Sequence, residues 1–197
     1  MSLSNNYKNI NVTSSSGRLT LVFGPMFSGK TTKLIETYRN LNKCAVVVNY
    51  SDDTRYSETE LSNHDRIMIP CIKTKKLMDL EINMDFITAV KKYKAILIDE
   101  AQFYDDLLEF VFKYLEKLNK DVYVFGLDCD FRREKFGQLL DLVPHTDTLI
   151  KLTANCSLCG LEKKAIYTHR ITKESETILI GNNNYIPLCR KCYIKSI

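Results

Sequence analysis

No apolar run in this 197-residue sequence approaches the length needed to cross a membrane, and residues 1–17 lack the apolar stretch of a signal peptide. No membrane association or export is expected, so the formal glycosylation sequons Asn11-Val12-Thr13 and Asn49-Tyr50-Ser51 are expected to stay unmodified. Positive charge is nowhere concentrated. The cationic runs are short: Lys73, Lys75 and Lys76; Lys91, Lys92 and Lys94; Arg132 and Arg133. Polymer binders gather such charge into a stripe or patch, so these runs read as solvated faces and nucleic acid is not an expected partner. There is no internal repeat and no low-complexity tract. The seven cysteines, an odd count, make a poor disulfide framework and suit a reducing, cytoplasmic compartment.

What remains is ordinary globular material, able to bury a core without disulfides. Residues 1–17 are expected to be a disordered extension, polar and ending in Ser14-Ser15-Ser16-Gly17. From 18 to 153 apolar runs alternate with helical patterns. Strands are expected over 19–23, 44–48, 67–69, 95–98, 122–127 and 148–152, and helices over 30–41, 84–92 and 104–118, with a weak helical stretch near 77–80. In the 104–118 helix, Leu107, Leu108, Val111, Phe112, Leu115 and Leu118 form the expected core-facing stripe. Continuous apolar strands separated by helices argue for an α/β domain whose parallel sheet is covered on both faces. The pattern changes at Ala154, so residues 154–197 are expected to form a small lobe.

The strongest chemical signal is Gly24-Pro25-Met26-Phe27-Ser28-Gly29-Lys30-Thr31. It fits G-x-x-x-x-G-K-[ST] and lies between an expected strand and an expected helix. Glycines let the backbone wrap closely enough for its N–H groups to face a phosphate, and the helix N-terminus adds its positive end. A lysine at position 30 reaches β- and γ-phosphate oxygens, and Thr31 offers a hydroxyl to Mg²⁺. The motif points to a nucleoside triphosphate and leaves the acceptor open. Asp99 and Glu100 follow the apolar run 95–98, at the strand end where ligands bind in such sheets. Asp99 suits the Mg²⁺ shell. Glu100 has two readings: it orients a hydrolytic water, or it accepts a proton from a substrate hydroxyl.

Cys156-x-x-Cys159 and Cys189-x-x-Cys192 have the spacing of a four-thiolate zinc site. With no spare ligand position the site is expected to be closed and structural, fixing both ends of the long segment 160–188. Disulfides or a redox couple compete with this reading, and the reducing compartment favours zinc.

Taken together, these residues resemble the type II thymidine kinase family, found in vertebrates, many bacteria and large DNA viruses. The resemblance covers residues 18–193. It is carried by the 24–31 loop, Asp53-Thr54-Arg55-Tyr56-Ser57, Asn63-His64-Asp65-Arg66, Asp99-Glu100-Ala101-Gln102-Phe103, Leu127-Asp128 through Phe131, Phe136-Gly137, Lys151-Leu152-Thr153-Ala154, and the Cys pairs around Tyr185. It implies a P-loop NTPase-like parallel sheet flanked by helices, with a small C-terminal zinc-binding lobe carrying a substrate-binding loop. The implied reaction is transfer of the ATP γ-phosphate to the 5′-OH of thymidine, or deoxyuridine, giving dTMP for salvage.

The resemblance also assigns roles. Glu100 is the implied base, with Lys30 and Arg55 at the phosphates; ATP is held by the 24–31 loop and Thr32, and Mg²⁺ by Thr31, Asp53 and Asp99. Met26, Phe103, Leu127, Phe131, Phe136 and Tyr185 enclose the nucleoside. Thr168 lies near its methyl group, and main chain around Ile178, Ile180 and Gly181 reads the base, which makes deoxycytidine an expected poor acceptor. A homotetramer inhibited by dTTP is implied as well. The chain ends soon after Cys192, without the tail of vertebrate members, which leans toward a viral or bacterial source, a large cytoplasmic DNA virus in particular. Two other readings stay open: a polymer-remodelling ATPase, and a kinase of another deoxynucleoside.

Overall fold

The computed structural model describes residues 16–51, 59–62, 66–172 and 184–196. Its centre is a six-stranded, all-parallel sheet built from β1 (Leu19–Phe23), β2 (Ala45–Tyr50), β5 (Ile72–Thr74), β6 (Ala95–Ile98), β7 (Asp121–Gly126) and β8 (Thr148–Lys151), in the order β5-β2-β6-β7-β1-β8. Consecutive apolar side chains must leave a strand on opposite faces. Here each of the four inner strands, β1, β2, β6 and β7, divides its residues between two hydrophobic clusters. Leu19, Leu21, Val46, Val48, Ile96, Ile98, Val122 and Val124 enter one, while Val22, Ala45, Val47, Ala95, Leu97 and Phe125 enter the other. Both faces are therefore buried, which is why the strands read as continuous apolar runs.

Helix α1 (Lys30–Asn40) covers the second face with Leu34, Ile35 and Tyr38. Helices α2 (Met84–Lys92) and α3 (Leu107–Phe112) cover the first with Phe86, Leu107, Phe110 and Val111. Asn83 caps α2, its side chain accepting from the Phe86 N–H at 2.9 Å, and Lys91 and Lys92 sit in the last turn where cations suit the helix dipole.

Two expectations are corrected. The strand expected over 67–69 is β4 (Met68–Pro70), which pairs antiparallel with β3 (Glu60–Ser62) in a separate hairpin. The sheet edge is filled by β5, reached when the chain turns at Cys71, whose N–H bonds to the Thr59 carbonyl at 3.0 Å. The 104–118 helix is shorter. Asp106 turns its carboxylate to the N–H groups of Leu77 and Met78, at 3.2 and 2.9 Å, so helix begins only at Leu107. After Phe112 it widens into a turn over Lys113–Lys117, with Leu118 N–H on the Lys113 carbonyl. The core stripe is Leu107, Phe110, Val111, Tyr114 and Leu115, and Leu118 is exposed. The five keep a three- and four-residue spacing that the rings of Phe110 and Tyr114, only 4.3 Å apart, complete.

Beyond β8 the chain forms two antiparallel pairs, β9 (Ala154–Cys156) with β10 (Gly160–Ala165) and β11 (Tyr167–Arg170) with β12 (Tyr185–Leu188), followed by α4 (Arg190–Ser196). The hydrophobic cluster of this lobe buries Ala154, Ala165, Leu188 and Tyr193, and its remaining buried members are Cys156, Cys189 and Cys192. A core so dependent on thiols needs a further tie.

Candidate functional site

The 24–29 loop leaves the end of β1 and opens α1. A Cβ on Gly24 would lie 2.4 Å from the Leu152 carbonyl, so no side chain fits there, and Gly29 enters the helix at φ 85°. Lys30 curls back so that its Nζ donates to the carbonyls of Gly24 (3.2 Å) and Pro25 (3.0 Å), placing the cation over the loop. The Ser28 hydroxyl is buried and, among the described residues, has no hydrogen-bond partner. A close backbone, a lysine and an orphaned hydroxyl at a helix N-terminus suit phosphate oxygens.

At the end of β6, Asp99 is buried to 2% exposure and accepts from the Thr31 hydroxyl at 3.2 Å. The sheet order sets this meeting, since β6 and β1 flank β7 and their C-terminal ends lie together. Glu100 follows with φ 51°, a left-handed conformation costly for a residue with a Cβ. Its Oε2 accepts from Gln102 Nε2 at 2.7 Å. Tyr104, fully buried nearby, has its phenol pushed well up, by burial first and then by Asp99, Glu100 and Asp106.

An aromatic wall adjoins these acids. Phe103 packs edge-on to Phe136 with centroids 5.5 Å apart. Phe131 lies under the Arg170 guanidinium at 3.9 Å, and the same guanidinium sits 5.1 Å from the Tyr185 ring and donates to its hydroxyl. Thr168 accepts from the Met26 N–H at 3.0 Å, tying the lobe to the phosphate loop. The Tyr193 hydroxyl donates to the Phe131 carbonyl, tying the lobe to the loop after β7. Replacing Tyr193 by Phe removes one hydrogen bond worth about 1 kcal/mol, so KM for any substrate packed against Phe131 is expected to rise about fivefold with bound metal unchanged. Steady-state kinetics and metal analysis check both parts.

In the lobe the four thiol sulfurs of Cys156, Cys159, Cys189 and Cys192 lie within 4.8 Å of one another. Tetrahedral Zn–S bonds of about 2.3 Å place sulfurs about 3.8 Å apart, so this cluster fits a zinc ion. Burial pushes the Cys156 thiol up, but N–H donors from Cys189, Leu158 and Cys159 outweigh it and bring it down to about 6. The hydrogen bond with Cys159, then burial, pushes Cys192 up to about 12. Thiols this close cannot all ionise unless a dication lies among them.

Comparison with known proteins decides the family. The thymidine kinase family model matches residues 17–193. The chain belongs to the thymidine kinase family. It is 40% identical over 183 residues to thymidine kinase a of Arabidopsis thaliana, covering 91% of this chain and 76% of the plant protein. It is 38% identical over 185 residues to the Monkeypox virus thymidine kinase, covering 91% and 98%. Identity to the thymidine kinase of Oryza sativa subsp. japonica is 38% over 183 residues, covering 90% and 66%.

The fold brings together most of the residues singled out in the sequence. Met26, Thr31, Asp99, Glu100, Phe103, Leu127, Phe131, Phe136, Thr168 and Tyr185 fall around the strand ends and their facing lobe. Asp53, Arg55, Ile178, Ile180 and Gly181 lie outside the described residues. Two contributors were overlooked. Arg170 is 6% exposed, and its alternation with buried Thr168 on β11 is a signal that both point inward. Gln102 is 3% exposed, and its place in Asp99-Glu100-Ala101-Gln102-Phe103 gave it no assigned role.

Proposed function

We propose that this chain transfers the γ-phosphate of ATP to the 5′-hydroxyl of thymidine, and of deoxyuridine, leaving dTMP or dUMP and ADP. The observation that carries the reading is the Thr31–Asp99 contact at 3.2 Å, with Glu100 the next residue along and the aromatic wall of Phe103 and Phe136 beside it. It unites a triphosphate cradle, an acidic strand end and a flat apolar surface, in a member of a family of thymidine kinases.

In this reading backbone N–H groups from Gly24 to Thr32 hold the β- and γ-phosphates, and Lys30 swings from its loop carbonyls to their oxygens. Thr31 and Asp99, with Asp53, hold Mg²⁺, which when bound neutralises charge between the phosphates. Glu100 accepts the 5′-OH proton and Arg55 stabilises charge on the group in transfer. Met26, Phe103, Leu127, Phe131, Phe136, Thr168 and Tyr185 enclose thymidine, and main chain around Ile178, Ile180 and Gly181 reads its base. Zinc on the four cysteines is structural. The same reading divides the chain into an extension at 1–17, a kinase domain at 18–153 and a lobe at 154–197. It works in the cytoplasm as a homotetramer that dTTP inhibits. Among the described residues no helix is long and apolar enough to cross a membrane.

The test is stoichiometry. Purified protein with Mg·ATP and thymidine is expected to make dTMP and ADP one for one, with neither formed when thymidine is omitted. Steady ADP production without dTMP contradicts the reading.

A further inference from the structure

Glu100 is held on a strained turn, and a carboxylate on three rotatable bonds does not aim itself. Its φ of 51° leaves the backbone in a region that costs about 1 kcal/mol or more for a non-glycine residue. Something must fix the side chain. Gln102 meets that need with both ends of one amide. Its Oε1 accepts the Leu127 N–H at 2.9 Å, a buried bond, and its Nε2 donates to Glu100 Oε2 at 2.7 Å. The orientation of the amide follows from chemistry: a backbone N–H can only donate, so the oxygen must face Leu127 and the nitrogen must face Glu100.

The surroundings are cut to this side chain. A Cβ on Gly126 would lie 2.7 Å from Gln102 Oε1 and 2.7 Å from Leu139 Cδ1. Gly137, at φ 62°, lies so close beneath that a Cβ would be 2.2 Å from the Gln102 carbonyl. Gln102 is 3% exposed, and its donor and acceptor are both used. A buried amide spent on one carboxylate and one strand end is costly unless its placement matters.

We propose that Gln102 is a positioning residue that braces the Glu100 carboxylate against the nucleoside wall, so that the distance from the proton acceptor to the acceptor hydroxyl is set by where Leu127 sits. This rests on Glu100 taking the 5′-OH proton. Leu127 belongs to the enclosing wall, so a nucleoside that shifts it shifts the carboxylate with it. A misplacement of about 1 Å is enough to cost about a hundredfold in rate.

The test is a double-mutant cycle on the full chain, reading kcat and both KM values for Gln102→Leu, Glu100→Gln and the pair. Gln102→Leu is expected to lower kcat about ten- to a hundredfold, with KM for ATP within about twofold of the parent, and to add almost nothing to Glu100→Gln, as for residues acting as a unit. Gln102→Met guards against misfolding, since it keeps the length of the side chain, adds no charge beside Glu100 and removes the N–H donor. It is expected to bind ATP normally and lose a similar share of kcat. Full turnover by either Gln102 variant, or equal losses in the parent and Glu100→Gln backgrounds, overturns the brace alone. Near-parental turnover by Glu100→Gln overturns the base assignment and the brace with it.

Discussion

Replacing Glu100 by Gln is expected to lower kcat about a hundred- to ten-thousandfold while leaving the fold and the affinity for ATP close to the parent's. The change is isosteric and retains an oxygen for the amide of Gln102, which donates at 2.7 Å. It removes only the capacity to take a proton, and general bases contribute about that factor. The lower end of the range has a physical basis. Phosphoryl transfer has a loose transition state, and in the proposed mechanism alignment by the 24–31 loop, together with charge neutralisation by the Mg²⁺ that Thr31 and Asp99 would hold, carries much of the rate. Single-turnover kinetics with thymidine in excess isolate the chemical step. A variant within about threefold of the parent removes Glu100 from the role of base.

A zinc ion on the four cysteines would support the proposed nucleoside pocket from two sides, so its loss is expected to cost both stability and thymidine affinity. The lobe contributes Thr168, bonded to the Met26 N–H at 3.0 Å, and Tyr193, bonded to the Phe131 carbonyl. Its buried core includes Cys156, Cys189 and Cys192, so little apolar area remains to hold β9–β12 and α4 together once the thiols separate. Structural zinc sites supply on the order of 10 kcal/mol to folding, far more than this lobe can replace. Cys156→Ser is therefore expected to abolish stoichiometric zinc, lower the melting temperature and raise KM for thymidine more than tenfold, with a smaller change in KM for ATP. Metal analysis and calorimetry read the first two without reference to activity. A zinc-free variant with parental KM for thymidine shows that the lobe holds its pocket residues unaided.

A third substitution concerns the frame of the brace. Gly137→Ala forces a Cβ to within 2.2 Å of a main-chain oxygen at φ 62°, where neither partner is a flexible side-chain tip. A loss of about 2–4 kcal/mol is expected. For a chain of this size that lowers the melting temperature by about 4–16 °C, and a shift under 2 °C contradicts the contact.

How much of this was legible in the sequence depends on whether a property is local. The central strands were, because burial on both faces writes itself as Ala45-Val46-Val47-Val48 and Ala95-Ile96-Leu97-Ile98, whatever lies above or below. So was the 24–31 loop, whose glycines answer to a turn and a close approach that its own neighbours create. The 67–69 segment was misplaced because a short apolar run carries no record of its pairing partner, and β3 and β5 compete on either side of it. The start of α3 was missed because Asp106 spends its carboxylate on Leu77 and Met78, a contact across 29 and 28 residues. The same holds at the site. Cysteine spacing announces a thiolate cluster, but nothing in the sequence says that Tyr193 will reach Phe131 or that Gln102 will reach Leu127. Such contacts depend on the sheet order, which sets β6, β7 and β1 side by side.

The central claim is that one site joins a triphosphate cradle to a pocket that reads a thymine-type base. An acceptor panel tests it most directly: purified protein, Mg·ATP, and thymidine, deoxyuridine, deoxycytidine or deoxyguanosine, with monophosphate and ADP both quantified and DNA or RNA added in parallel. Selective phosphorylation of thymidine and deoxyuridine, unchanged by polymer, is the predicted result. ATP hydrolysis that rises with DNA or RNA while no nucleoside is phosphorylated contradicts it.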